Sequence, residues 1–319
     1  PTNASAETTD TAYPAAPISR ATVWASVVLP ARGIPTIIKL FIYAPDVNLY
    51  LYYTKEKNLY KRKKFILICC KMSNTSGFIL LDKPSGISSR ATGGRIAHMF
   101  GARTFGHIGT LDPMASGVLP IAIGAATKMI PFIEDVRPST KEYLFSLQFG
   151  FETDTLDITG TEIARSGIIP SRTDVLATLP QLIGNIAQRP PMYSAVHVNG
   201  RRAYELARRG VQTDIPPRHI RIDALELVDI NGNEWTFRVR CGRGTYVRAI
   251  ARDIAYKCDT YATVNMIRRT ETLGFTIKNA VQLDFLENLV NNGVAPTKYL
   301  CAVDFGLGDI PVQNLDGKS

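Results

Sequence analysis

The sequence predicts an α+β fold: a mixed, largely antiparallel sheet flanked by helices. Three observations carry that prediction. Apolar residues fall at every second position at Tyr143, Phe145, Leu147, Phe149 and Phe151, and again at Trp235, Phe237, Val239 and Cys241, which is the period of half-buried strands. A stripe of Val247, Ile250, Ala251, Ile254 and Ala255 recurs at helical spacing directly after the second strand. Strands and helices mix without strict β-α alternation, which disfavours a doubly wound parallel sheet.

Taken in order, residues 1–71 differ from the rest. They run from a Ser/Thr/Ala-rich stretch into apolar pieces that Lys39, Pro45 and Asp46 interrupt before any reaches the length of a membrane span. The basic-then-apolar order of a signal peptide is missing. This stretch is expected to be a poorly ordered, non-native upstream extension, with Met72 as the biological start and Lys61-Arg62-Lys63-Lys64 as a solvated charge run. Phe78-Ile79-Leu80-Leu81, stopped by Lys83-Pro84, predicts a buried strand. Ser88 to Phe100 predicts a helix closed by Gly101, in which Gly93 and Gly94 each cost about 1 kcal/mol relative to Ala. Val118 to Ile123 predicts another buried strand.

From Pro190 to Arg221 arginine is dense, at 201, 202, 208, 209, 218 and 221. Val196 to Gly200 suggests a hairpin turning at Asn199-Gly200, followed by a short helix with Tyr204 and Leu206 on its apolar side. Arginines interleaved with Tyr193, His197 and Tyr204 suit phosphate contact plus base stacking, and suit equally an exposed hairpin solvated by its charges. After the Trp235 strand, Gly242-Arg243-Gly244 leads to Thr245, the expected N-cap of a helix that carries Arg248 and Arg252 one turn apart.

Composition sets wider bounds. With 319 residues and 45% hydrophobic content, the chain can bury one sizeable core or two smaller ones. The formal charge is +9, but residues 1–71 hold ten Lys or Arg against four acids, +6, which leaves +3 for the remainder. Local basic clusters are therefore better evidence for a polyanionic partner than total charge. Five cysteines, at 69, 70, 241, 258 and 301, form no C-x-x-C pair, which points to reduced thiols in a cytoplasmic protein and to no metal site.

The most informative segment is Gly106-His107-Ile108-Gly109-Thr110-Leu111-Asp112-Pro113-Met114-Ala115-Ser116-Gly117. Pro113 biases Asp112 toward extended backbone, and Gly109 and Gly117 permit positive φ or close approach on either side. The segment presents one carboxylate from a rigid loop. An Asp-Pro turn bonded to its own backbone would read the same way.

The run from Gly106 to Lys128 resembles the signature of the bacterial tRNA pseudouridine synthase B family, and further stretches resemble it in the same order. These are Leu81 to Gly86, Lys141-Glu142-Tyr143, Arg189 to Ala195, Ala203 to Arg208, Gly244-Thr245-Tyr246-Val247-Arg248 and Ile267-Arg268-Arg269-Thr270, so the likeness spans Ser76 to Phe275. The resemblance implies a pseudouridine synthase fold with an RNA-binding hairpin or thumb at about 190–221. It also implies a catalytic domain over 72–300, and a truncated C-terminal RNA-binding module of which 301–319 is the stub.

The activity implied is isomerisation of the T-loop uridine at tRNA position 55, by base flipping, glycosidic cleavage and C5–C1′ rejoining, with no cofactor and no metal. Asp112 is then the catalytic aspartate, either a nucleophile on C1′ or a base on C2′. Arg248 compensates its charge by a bidentate pairing. Tyr143 stacks on the flipped base and is a candidate for C5 proton transfer. Tyr246 and Ile267 line the uracil pocket, Lys83 supports the site from the first loop, and His107, Tyr193, Arg201 and Arg202 contact RNA. The partner implied is the tRNA T-arm, bound by a monomer with no obligate protein partner and no membrane. Other readings are a tRNA folding chaperone without catalysis and a nucleoside glycosidase, though the latter usually needs paired carboxylates. A phosphate loop on Gly242-x-Gly244 is weaker, since no Gly-Lys-Ser/Thr follows.

Overall fold

The computed structural model describes residues 75–302 except 199 and 212, residue 305, and the backbone of four strands further upstream. Those four are β1 (Thr22–Val23), β2 (Ile37–Ala44), β3 (Val47–Thr54) and β4 (Ile66–Cys70), an antiparallel sheet in chain order. They fall in a unit of residues 1–72 and 311–319, separate from the unit of residues 73–310. The Lys61 to Lys64 run, Met72 and Asn199 lie outside the described residues.

The larger unit opens with β5 (Gly77–Lys83), whose near-continuous burial explains its unbroken apolar run. Helix α1 (Ser89–Met99) is capped by the Ser88 hydroxyl, which accepts from the Ala91 N–H, and Gly101 follows it at φ +62°. Gly93 has a packing reason: a Cβ there would lie 2.6 Å from the Phe105 ring, so glycine lets α1 settle on β6 (Phe105–His107). β7 (Ser116–Ile123) is buried almost throughout, and α2 (Ile130–Val136) follows. The alternating run from Tyr143 is β8 (Lys141–Phe149), interrupted at Gly150, φ +106°, so that Phe151 belongs to β9 (Phe151–Thr153). β9 pairs with β10 (Glu162–Arg165), and α3 (Arg172–Thr178) starts in a Ser171/Asp174 capping box.

β11 (Gly184–Gln188) leads to the arginine-rich segment, where β12 (His197–Val198) and β13 (Arg201–Arg202) form the expected hairpin and α4 (Ala203–Ala207) follows. Tyr204 and Leu206 are half-buried, and it is Ala203 that α4 buries, with Val196 and Ile215, in a small core of its own. β14 (Arg218–Asn231), β15 (Glu234–Cys241), α5 (Val247–Lys257), β16 (Ala262–Thr272), β17 (Phe275–Thr276), β18 (Val281–Gln282) and α6 (Leu283–Asn291) complete the unit.

These strands make one ten-stranded sheet, ordered β11-β14-β15-β8-β16-β7-β5-β18, with β17 on β16 and β6 on β7. Only the β16–β7 and β18–β5 pairs are parallel, as the mixed, largely antiparallel expectation has it. The apolar stripe of α5 packs on the sheet: Ile250, Ala251, Ile254 and Ala255 are buried with Phe145, Leu147, Phe237 and Val239. Near the end of the described chain, Cys301 exchanges backbone hydrogen bonds with Phe78, at 2.9 and 2.8 Å. The core thus holds β8, β16 and α5 against one another, and the side chains of interest project from their ends.

Candidate active site

Asp112 sits in the loop between β6 and β7, and that loop is tied down along its length by the segment after β5. Ser89 Oγ donates to the Leu111 carbonyl and accepts from the Leu111 N–H, both at 2.9 Å. The Gly86 N–H donates to the Pro113 carbonyl at 2.8 Å, and Ser85 Oγ donates to the Met114 carbonyl at 2.7 Å. Gly109 at φ +66° and Gly117 at φ +107° take the left-handed backbone that glycine permits. At Gly117 a Cβ would stand 2.1 Å from the Arg269 carbonyl, so no other residue fits where β7 crosses β16.

Lys83 is fully buried and bonds to this loop. Its ammonium donates to the carbonyls of Ile87 at 2.6 Å, Pro84 at 2.7 Å and Pro113 at 3.3 Å. Burial lowers its pKa to about 8, the nearby Asp112 charge opposing that shift and Arg269 adding to it.

Arg248 comes from the first turn of α5, only 4% exposed, and its Nε donates to Asp112 Oδ2 at 2.9 Å. The expected bidentate pairing does not form, because the other guanidinium nitrogens are engaged elsewhere. Nη1 donates to the Thr155 carbonyl at 2.6 Å and lies 3.5 Å from Asp157 Oδ2, and Nη2 donates to the Tyr193 carbonyl at 2.9 Å. Arg248 therefore serves two carboxylates. Asp157 is buried, and its Oδ1 accepts from Thr155 Oγ1, the Thr159 N–H and Thr159 Oγ1. Asp112, by contrast, is 39% exposed, and among the described residues its Oδ1 accepts no hydrogen bond.

Tyr143 is buried on β8 opposite Arg269 of β16, and its phenol is pushed up to about 12, by burial first, with the Asp112 charge also raising it and Arg269 opposing. Ile267, two residues before Arg269, is buried opposite Phe145. Tyr246 stands at the entrance to α5, half-buried, feels both the Asp112 and Arg248 charges, and packs against the small core of Val196, Ala203 and Ile215. The expected N-cap, Thr245, makes no cap bond. Tyr246 is the N-cap residue, and Gln188 of β11 bridges its backbone, accepting its N–H at 3.0 Å and donating to its carbonyl at 3.2 Å. Gln188 is buried and reaches the helix start before Thr245 is needed.

His107 is half-buried, its Nε2 3.1 Å from Thr110 Oγ1 within the Asp112 loop, and burial, then Arg269 and Arg90, lowers its pKa. Tyr193 offers its carbonyl to Arg248 and donates its hydroxyl to Asp154 at 3.2 Å. Arg201 and Arg202 lie exposed on the hairpin, where Arg201 and Arg218 line an open groove of about 800 Å³. The structure thus brings Asp112, Arg248, Lys83, Tyr143 and Tyr246 to one place and leaves Arg201 and Arg202 exposed on the hairpin. Among the described residues no group of His, Cys, Asp and Glu has the spacing of a metal site, and no helix is long and apolar enough to cross a membrane.

This constellation meets a direct comparison. Residues 97–247 match the model of the TruB family pseudouridylate synthase, N-terminal domain. The tRNA pseudouridine synthase B of Caulobacter vibrioides is 42% identical over 74% of this chain and 75% of its own length. The chain belongs to the TruB family of pseudouridylate synthases. A second relative in that family, the tRNA pseudouridine synthase B of Gluconacetobacter diazotrophicus, is 42% identical over 75% of this chain and 78% of its own. A solved chain in the crystal structure of a Cbf5-Nop10-Gar1 complex superposes with a TM-score of 0.55 at 25% identity over 73% of this chain. The present chain spans 61% of that one. The TruB-family match covers Asp112, Tyr143, Tyr193 and Tyr246 and ends one residue before Arg248, whose contact with Asp112 places it in the same site.

Two members of this TruB-family site escape a reading of the sequence alone. Asp157 lies in Thr155-x-Asp157-x-Thr159, which looks like an ordinary turn, and only its distance to Arg248 reveals a second carboxylate. Gln188 is a lone polar residue at a strand end, and its helix is 58 residues away in sequence.

Proposed function

We propose that this chain is a tRNA pseudouridine synthase that isomerises the T-loop uridine, position 55, to pseudouridine. The observation that carries the proposal is the half-exposed Asp112 carboxylate, gripped by Arg248 through Oδ2 alone and offering Oδ1. Family membership and the names of the two relatives supply the substrate class.

The geometry explains how a carboxylate stays reactive under a bound nucleotide. Burial by the substrate disfavours the ionised form, and an adjacent guanidinium offsets that. Because Arg248 also faces Asp157, its single positive charge is shared between two carboxylates. The three tethers on Arg248 and the Lys83 grip on Pro113 fix the direction of Oδ1 before substrate arrives. Orientation in advance of the reaction is where such a site gains most of its rate.

The uridine must leave its stack to reach Oδ1, at a cost of about a few kcal/mol. Tyr143 supplies a flat aromatic face on β8, and Ile267 an apolar wall on β16. Between pH 5 and 9 the Tyr143 phenol is neutral, so stacking is the role its surroundings favour over that of a base. Oδ1 then acts on the ribose, at C1′ as nucleophile or at C2′ as base, and the N1–C1′ bond breaks with its electron pair going to N1. The uracil turns in the pocket, C5 bonds to C1′, and the proton lost from C5 is balanced by one gained at N1. No atoms are gained or lost, so no redox partner or external group is required. Arg201, Arg202, Arg208 and Arg218, on and around the hairpin, would meet backbone phosphate and offset the cost of flipping. We further propose that the enzyme works as a monomer on free tRNA in the cytoplasm.

The test is carbodiimide mapping of a tRNA transcript incubated with the protein. The expected result is one modified residue, the T-loop uridine. Tight binding with unmodified RNA would favour a folding chaperone instead.

A further inference from the structure

The Ile267-Arg268-Arg269-Thr270 stretch contributes a pocket wall through Ile267, but the mechanism leaves its most buried member unused. Arg269 is fully buried, one of the largest such side chains, and among the described residues no carboxylate pairs with it. A buried guanidinium without a counter-ion is costly, and burial lowers its pKa. Such a group persists only where it has a task for its donors.

Its partners define that task. Nε donates to the Val118 carbonyl at 2.8 Å, at the start of the buried run of β7. Nη2 donates to the Gly109 carbonyl at 3.0 Å and faces that of Ile108 at 3.4 Å, inside the loop that carries Asp112. Nη1 has no hydrogen bond of good geometry, and the Tyr143 phenol, opposite Arg269 across the β8–β16 ladder, interacts with the guanidinium. Gly109 completes the fit: a Cβ there would lie 3.0 Å from Nη1, tighter than an ordinary contact, and its φ of +66° also favours glycine at that position. One planar group thus touches the start of the catalytic loop, the strand after it and the stacking tyrosine.

We propose that Arg269 is a positioning residue for the isomerisation, holding the Asp112 loop and the Tyr143 ring in one fixed relation. The proposal rests on the functional reading above. It is not a claim about substrate contact, since no part of Arg269 reaches the surface. Neighbouring Arg268 is the natural control: it is also tethered, bidentate to Asp82 at 2.7 and 3.2 Å, but touches neither the loop from Ile108 to Asp112 nor Tyr143.

The experiment compares Arg269→Lys, Arg269→Met and Arg268→Met in three measurements: thermal midpoint, amide hydrogen exchange of residues 107–112, and single-turnover pseudouridine formation at saturating tRNA. Both Arg269 variants should raise exchange in that loop and slow single turnover by about 100-fold, the scale of a misplaced catalytic group. tRNA affinity should stay unchanged, and Arg268→Met should do neither at a similar loss of midpoint. Lysine should fail to rescue, because it keeps the charge but not the fork of donors. The proposal is overturned if loop exchange is unaltered in the Arg269 variants, or if Arg268→Met alters it equally. That readout stands even where wild type makes no pseudouridine, an outcome that would instead sink the functional reading.

Discussion

The Asp112 pocket and the arginine-rich hairpin differ in how their charges are held. Around Asp112 two cations are buried and bound to backbone: Arg248 at 4% exposure takes two carbonyls and two carboxylates, and Lys83 takes three carbonyls. On the hairpin, Arg201 and Arg202 are exposed, Arg208 lies 5.6 Å over the Tyr204 ring, and the core beneath them is only Val196, Ala203 and Ile215 with a few half-buried neighbours. Chemistry on a ribose carbon needs one oxygen in one direction, which rigid tethers provide. Capture of a polyanion needs charge that can follow it, and under the proposed function the exposed arginines on a thin support would provide that. Tyr246 belongs to both regions, since it feels the Asp112 charge and packs on the hairpin core.

Substitutions should separate the two regions, beginning with the largest effect. Asp112→Asn is expected to lower the rate of pseudouridine formation by about 10⁴-fold, the upper end for loss of an acid-base group, without changing the thermal midpoint. Arg248→Met should cost about 3–5 kcal/mol of stability in chemical denaturation, because it strands Asp157 as a buried charge, and should also slow single turnover by about 100-fold. A stability loss under 1 kcal/mol would mean that Asp157 is solvated or protonated. Lys83 gives a pH signature. Its three carbonyl partners need all three ammonium protons, so deprotonation leaves one unpaired and loosens Pro113. Single turnover should therefore fall as pH rises through about 8, and Lys83→Gln should be slow and lack that limb. The folded pKa lies below the unfolded 10.5, so this group favours the folded state more, not less, as pH rises between those values. The rate loss should occur without melting.

The hairpin should give the smallest effects. Arg201→Ala and Arg202→Ala should each raise the Kd for tRNA a few-fold and lower the salt slope of binding by about 1, leaving the single-turnover rate alone. An unchanged slope would place these side chains off the RNA.

Much of this organisation is legible in the sequence because it is local. Period-two runs gave β8 and β15, the apolar stripe gave α5, and the two glycines and the proline around Asp112 gave a rigid loop with positive φ where expected. What escaped is long-range. Thr245 is a good N-cap by type, yet Gln188 does the work from another strand, and no local pattern reveals that. The pairing of Arg248 with Asp112 is implied by the family resemblance, whereas the second carboxylate that divides its donors, and so prevents a bidentate grip, lies 91 residues upstream in a threonine-rich turn. Arg269 could be quoted as part of a motif, but its task depends on Gly109 and Tyr143 arriving from two other elements.

The account stands on a division of labour, and one paired measurement tests it: single-turnover rate at saturating tRNA together with tRNA Kd, for Asp112→Asn and for the double variant Arg201→Ala/Arg202→Ala. The predicted result is a lost rate with unchanged Kd for the first and an unchanged rate with weakened, less salt-dependent binding for the second. A rate retained by Asp112→Asn, or a rate lost by the double variant when RNA is saturating, would contradict it.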